Sequence, residues 1–285
     1  MASNRISSIR VAIYILNWNR SHDSLRLLNS LQHQTHKNIE VYVVDNASEK
    51  NDFLKLKRGA SNAKVFQTSE NLGCPGGRNF LVNSIASDFI FFVDNDGLLR
   101  NDAIENSLRS YLESDFPAVL GGVVVGHEDL DSVCLKSEPW VGKSRVAKNY
   151  SGGVALINTE LFLAAGGYDA RFMYGHEESD LTIRLFGLSH SVVISEDVVL
   201  YHAPSPLGRI ADQEIAKLQN VIVTAFKNYN FIIAFPYIVY VFIRYYIRAR
   251  VRMHGKPSRG LVKLIISTKR RPLSFSKTWK YIWMK

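Results

Sequence analysis

Asp94 and Asp96 directly follow the apolar run FIFFV and precede Gly97. Carboxylates at i and i+2 of an extended segment, with polar Asn95 between them, suit a divalent cation held by oxygen ligands and shared with a phosphate. Alone the triplet is a weak signal, because Asp and Asn are ordinary turn residues; its place behind a strand-like run strengthens it. Glu177, Glu178 and Asp180 put three carboxylates within four residues at the head of a helix-compatible stretch. A carboxylate there can take a proton from a hydroxyl, and the helix N-terminus should keep Glu178 ionised. Asp180 and Arg184 lie one helical turn apart and can pair, which is a structural role for Asp180.

These side chains need a frame that brings them together. Residues 11–16, 39–44, 63–66 and 89–93 are short β-branched or aromatic runs that read as buried strands. Between them, residues 24–32 carry Leu25, Leu27, Leu28 and Leu31 at helical spacing, and 77–86 and 102–112 are also helix-compatible. This βαβαβαβ order predicts an α/β fold with a mostly parallel sheet. Beyond about residue 115 the pattern is mixed, with strand-like 118–125 and 153–157, a helix over 178–187, and strand-like 192–194 and 198–201. Ligands of an open parallel sheet sit at the carboxyl ends of the strands. Here those ends read Asn17-Trp18-Asn19-Arg20, Asp45-Asn46-Ala47-Ser48 and Asp94-Asn95-Asp96-Gly97. Residues 71–79 (NLGCPGGRN) form a Gly-rich turn opening a helix, where free N–H groups and the helix dipole favour an anion. The GxGxxG spacing of a dinucleotide fingerprint is absent.

Composition narrows the class. The 285 residues are 46% hydrophobic and 21% charged, which excludes disordered and collagen-like chains, and two cysteines, Cys74 and Cys134, exclude a disulfide scaffold. The start of the chain lacks a signal-peptide pattern, so a reducing, cytoplasmic setting is expected. The net charge of +9 is uneven: residues 1–203 carry 19 Lys/Arg against 24 Asp/Glu, and residues 204–285 carry 16 against 2. Such a basic tail points to an anionic surface. Residues 231–243 (FIIAFPYIVYVFI), interrupted by Pro236, are followed by Arg244, Arg248, Arg250 and Arg252. Thirteen residues fall short of the roughly 20 that span a bilayer, so a helix lying in the headgroup layer fits better. The alternatives are a core helix with solvated arginines, or burial against a second copy of the chain. No motif for nucleic acid accompanies the charge.

In order, the chain presents ILNWNR, VVDNAS, ENLGCPGGRN, FFVDNDG, SGGVALI, GGYDARFMYGHEESDLTIR and YHAPSPLGR. Each is degenerate; their order and spacing resemble the family 2 glycosyltransferases of the GT-A fold over most of residues 9–209, and among them bacterial, rhamnosyltransferase-like enzymes of surface-polysaccharide synthesis. The resemblance implies a catalytic domain over 1–210, with a nucleotide-sugar half to about 115 and an acceptor half from 116, and a basic, apolar helical tail over 211–285. It implies inverting transfer of a hexosyl or rhamnosyl group from a UDP- or dTDP-sugar to a hydroxyl of a glycan or polyprenyl-linked acceptor. The enzyme would work peripherally at the inner face of the plasma membrane, with Mn²⁺ or Mg²⁺ on the diphosphate.

By the same resemblance Asp45 bonds the pyrimidine, Asn17, Asn19 and Asn71 lie on the nucleotide side, and Arg78 holds the nucleotide or its phosphates. Asp94 contacts the ribose or assists the metal, which Asp96 and a neutral His202 ligate. Glu178 stands at the base position, where Asp is commoner, and Glu177 is the second choice. Glu177, Asp180 and the backbone at Gly152 and Gly153 serve the sugar or acceptor. Two other classes compete. A nucleotidyltransferase is expected to carry a Gly-rich basic loop in place of Asn17-Trp18-Asn19-Arg20. A catalytically inactive membrane-surface protein that binds nucleotide or glycan would keep the fold without turnover.

Overall fold

The computed structural model describes residues 2–203, 213–252 and 265–284. Its first half runs α1 (Ala2–Ser8), β1 (Val11–Asn17), α2 (Ser21–Leu31), β2 (Ile39–Asp45), α3 (Lys50–Gly59), β3 (Lys64–Gln67), α4 (Gly73–Asn79) and β4 (Phe89–Asp94). The second continues with β5 (Gly97–Leu99), α5 (Ala103–Glu113), β6 (Val119–Gly126), β7 (Ser144–Val146), β8 (Val154–Asn158), α6 (Thr159–Ala164), α7 (Glu177–Gly187) and β9 (Val192–His202). Helices α8 (Gln213–Asn228), α9 (Phe231–Arg252) and α10 (Phe275–Trp283) follow.

The four apolar runs of the first half are parallel strands in the order β3-β2-β1-β4. β1, β4 and most of β2 read as unbroken apolar runs because both faces are covered, whereas β3, expected to be buried, is a largely exposed edge strand that carries Lys64. Ile13, Ile15, Val43 and Phe91 pack on one face with Leu27, Leu28 and Leu56 of α2 and α3. Tyr14, Val44, Ile90 and Phe92 pack on the other with Phe162 of α6 and Leu181 and Leu185 of α7. Strands β2 and β4 flank β1, so the chain reverses its direction of sheet growth there, and an open sheet has its binding crevice at such a point. Register puts Asn17 opposite Asp45, and Leu16 opposite Asp94, so the polar strand ends share one rim.

The second half is mixed. Strand β8 runs antiparallel to β4 and β6, β9 runs parallel to β6, and β5 and β7 add antiparallel to β9. Two elements differ from the sequence reading. The expected strand pieces at 192–194 and 198–201 form one strand, because the polar break between them is satisfied in place. Asp197 is buried and accepts N–H bonds from Val141, Gly142 and Lys143 at 2.8, 2.9 and 3.2 Å. The helix expected over 77–86 begins earlier, at Gly73, since Pro75 is tolerated in a first turn, and it stops at Asn79. The Asn79 amide is tied there to both backbone groups of Tyr168.

The expected domain boundary near residue 210 lies outside the described residues, and the helices beyond it join the body. Lys227 of α8 bonds Asp169 and Asp180, each at 2.8 Å, and Asn228 bonds the other oxygen of Asp180 at 2.8 Å. Ala234 of α9 and Tyr281 of α10 are buried in one cluster with Ile183 of α7. Among the described residues no helix is long and apolar enough to cross a membrane.

Candidate active site

The rim formed by β1 and β4 opens into a cavity of about 450 Å³. Its floor is a chain of charges centred on Arg78, which is buried with its guanidinium about 6 Å from the Phe92 and Tyr168 ring centroids. From the last turn of α4, Arg78 reaches Asp94 at 2.8 Å, Glu178 at 3.3 Å and Glu177 at 3.9 Å. Gly152 and Gly153 form the adjoining wall. A Cβ on Gly152 would collide with the Glu178 carboxyl and Arg78, and one on Gly153 would lie 2.5 Å from Oδ2 of Asp94. The two glycines therefore let the backbone lie directly against the three charged side chains.

Glu178 does not carry the ordinary acidity expected from a helix N-terminus. Burial, and then the charge of Glu177, push its carboxyl up to about 7 against the pull of Arg78. Desolvation outweighs the helix dipole. Glu177 is buried, and its Oε2 has no hydrogen-bond partner among the described residues. A buried carboxylate oxygen without a partner is costly, and a substrate hydroxyl would satisfy it.

Asp96, the residue before β5, also lines the cavity. Its Oδ1 lies 3.1 Å from Nε2 of His202, the last residue of β9, and its Oδ2 lies 2.6 Å from Nη1 of Arg20. Burial opposes the charge on Asp96, yet His202 and Arg20 hold its carboxyl below the usual range. The hydrogen bond to Asp96 in turn raises His202 above the ordinary imidazole value. Among the described residues no group of three or more His, Cys, Asp or Glu side chains could hold a metal ion. The donor set still fits a small divalent ion in part. Asp96 Oδ1 and His202 Nε2 supply an O,N pair, and the remaining positions would fall to phosphate oxygens and water, the usual arrangement for such ions on nucleotides.

The cavity thus unites Asn71, Arg78, Asp94, Asp96, Gly152, Gly153, Glu177, Glu178 and His202. Four expected residues stand apart from its wall. Asn17 and Asp45 are fully buried beneath it, bonded to each other at 2.8 Å. Asp45 also accepts from the Ser48 N–H and from Gln67, at 3.1 and 3.0 Å. Asn19 adopts φ 53° and accepts from the Glu49 N–H, bracing the two strand ends. Asp180 is fully buried, paired with Arg184 as its spacing predicts and with Lys227 and Asn228 of α8. The anion cradle expected at the Gly-rich turn is partly occupied, since Gly73 N–H donates to Asn71 and Cys74 N–H to Met173. Of the closing YHAPSPLGR motif, residues 204–209 lie outside the described residues.

Sequence reasoning gave no role to Arg20, Trp18 or Lys217, which also line the cavity. Arg20 and Trp18 carried a signal, because they sit at the polar end of β1. Lys217 carried none, for α8 reaches the cavity only through tertiary packing. The tail holds another missed pattern, Phe275, Trp279 and Trp283 at four-residue spacing. They form an exposed stripe on α10, with ring centroids 6.3 and 5.7 Å apart in succession.

Comparison with known proteins agrees with this architecture. The model of glycosyl transferase family 2 matches residues 12–168. A glycosyltransferase of Rickettsia felis is 26% identical over 118 residues, covering 41% of this chain and 19% of its own. Another from Rickettsia prowazekii is 24% identical over 209 residues, covering 68% of this chain and 64% of its own. The chain spans about a fifth of the first curated relatives it matches. Among solved structures, GalNAc-T7 with UDP, GalNAc and Mn²⁺ superposes with TM-score 0.61 at 14% identity, covering 78% of this chain and 48% of its own. The TarS enzyme of S. aureus with UDP-GlcNAc superposes at 0.57 with 17% identity, covering 76% and 67%. The sheet is that of the GT-A fold, and the chain belongs to glycosyl transferase family 2.

Proposed function

We propose that the chain transfers a sugar, with inversion, from a UDP- or dTDP-linked donor to a hydroxyl of a glycan or lipid-linked acceptor, in the synthesis of bacterial surface polysaccharide. One observation carries this reading. A carboxyl whose acidity lies near neutrality, Glu178, shares a cavity with the Asp96–His202 pair. In the proposed reaction the Glu178 carboxylate takes the proton from the acceptor hydroxyl as the hydroxyl oxygen bonds to the anomeric carbon, and the bond to the nucleoside diphosphate breaks on the opposite side. Arg78 orients Glu178 and Asp94, and the free Oε2 of Glu177 accepts from a sugar hydroxyl. Asp96 and His202, with Asp94 beside them, would hold Mn²⁺ or Mg²⁺, which supplies charge stabilisation for the departing diphosphate. UDP with Mn²⁺ in one similar structure and UDP-GlcNAc in the other support a pyrimidine donor.

Thermal stabilisation tests the donor class, because a ligand that binds the folded state raises the transition by mass action. UDP or dTDP with Mn²⁺ is expected to raise the midpoint, EDTA to abolish the gain, and GDP, CMP and ADP to give none. A folded protein that responds to no nucleotide would sink the donor assignment. A response without any turnover would favour the inactive binding protein.

The basic end of the chain supports a lipid-linked acceptor. On α9, Phe231, Ile232 and Phe235 are exposed, and the Phe275–Trp279–Trp283 stripe adds aromatic side chains of the kind that settle among headgroups. No Asp or Glu follows Glu214, so the charge complements an anionic leaflet. The side chains of Arg248, Arg250 and Arg252 lie outside the described residues. Since α8 anchors Asp180, removing the tail would damage the body, and substitution is the cleaner test. Full-length protein should float with vesicles containing phosphatidylglycerol, and Trp279→Ala with Trp283→Ala should reduce the floated fraction while the nucleotide response persists. Equal flotation of the two proteins would remove the stripe from the account.

A further inference from the structure

We infer that Arg20 is a resident counter-cation of Asp96 that a divalent ion must displace, so that metal capture depends on a diphosphate arriving with it. The inference rests on the reading of Asp96 and His202 as a metal pair. Both carboxylate oxygens of Asp96 are already engaged, Oδ2 by Nη1 of Arg20 at 2.6 Å and Oδ1 by Nε2 of His202 at 3.1 Å. A bare ion therefore meets a neutralised carboxylate and a fixed positive charge beside it.

Arg20 is held independently of Asp96. Its Nε and Nη2 lie 2.8 and 2.7 Å from Oδ2 of Asp23, in the first turn of α2, and its side chain is 12% exposed. Losing Asp96 would leave the guanidinium at the cavity wall with Nη1 free for an anion. A guanidinium fork suits phosphate, and a nucleoside diphosphate is the anion this cavity is read to take. On its arrival Nη1 exchanges carboxylate for phosphate, and Asp96 is released to a cation that the same diphosphate helps to hold. The two ligands are then coupled, and by linkage each raises the affinity of the other by the same factor.

The test measures Mn²⁺ binding to the full chain from the electron paramagnetic resonance signal of the free ion, with and without UDP. The proteins are wild type, Arg20→Gln and Asp23→Asn, each checked for a cooperative thermal transition. Wild type should bind Mn²⁺ weakly alone and gain about fivefold or more with UDP, within the usual range of coupling between sites. Arg20→Gln should bind Mn²⁺ alone more tightly and lose most of the UDP-dependent gain. Asp23→Asn, which loosens Arg20 without removing its charge, should move the same way by less, and it carries the test if Arg20→Gln does not fold. Unchanged Mn²⁺ affinity in the variants, or no Mn²⁺ binding by any protein, would overturn the inference. Tighter Mn²⁺ binding by Arg20→Gln in a protein that ignores UDP would uphold the competition at Asp96 and overturn the donor reading instead.

Discussion

Glu178→Gln is expected to lower turnover by about 10²–10⁴-fold, the usual contribution of a positioned general base, while UDP-induced thermal stabilisation stays near wild type. Glutamine keeps the shape of the side chain that meets Arg78, while losing its charge and the ability to take a proton. The pH profile gives a second readout. A base works ionised, and burial with the neighbouring Glu177 raises the Glu178 carboxyl to about 7. Wild-type kcat/KM should therefore rise with pH through about 7 and level off above it, and the residual activity of the variant should lack that step. Glu177→Gln run in parallel separates the two carboxylates, since the base shows the larger loss and carries the pH step. Unchanged turnover in Glu178→Gln would remove Glu178 from the chemistry.

Two residues further along the same helix, Asp180→Ala is expected to act on stability. Its carboxylate is fully buried among Arg184, Lys227 and Asn228. Removing one partner of a buried ion cluster leaves the others desolvated without compensation, at about 3–5 kcal/mol. For a chain of this size the thermal midpoint should fall by something on the order of 10 °C. Lys227 keeps Asp169 as a partner in that variant, so pairing Asp180→Ala with Lys227→Met should cost less than the sum of the two single variants, whereas independent sites would add. A midpoint within a degree or two of wild type for Asp180→Ala would show that the cluster does not hold α8 to the body. Glu177, Glu178 and Asp180 thus divide their carboxylates between a cavity and a core, and burial partners decide which is which.

The frame was legible in the sequence because β1, β4 and most of β2 are covered on both faces, while the edge strand β3 is largely exposed. Ile13, Ile15 and Phe91 on one side and Tyr14, Ile90 and Phe92 on the other leave no polar position inside β1 and β4, so apolar continuity marked these strands, and the polar strand ends marked the rim. Gly152 and Gly153 were legible as points of close backbone approach, although what approaches them is Glu178, Arg78 and Asp94. The second half was less legible, because Asp197 reads as a break in a strand whose buried carboxylate in fact ties down residues 141–143.

The sequence by itself determined the α/β frame, the family, and the set of carboxylates, arginines and glycines at the strand ends, since local pattern and motif order are one-dimensional information. Only the tertiary structure decided which of them meet. Asn17, Asn19 and Asp45 turn to one another and to backbone, Asp180 turns to α8, and Arg20 crosses 76 positions to close on Asp96. The physical reason is that hydrogen-bond satisfaction and desolvation are settled by what lies within a few ångström in space. A carboxylate's spacing along the chain does not fix that, as the near-neutral acidity of Glu178 beside the ion-paired Asp180 illustrates.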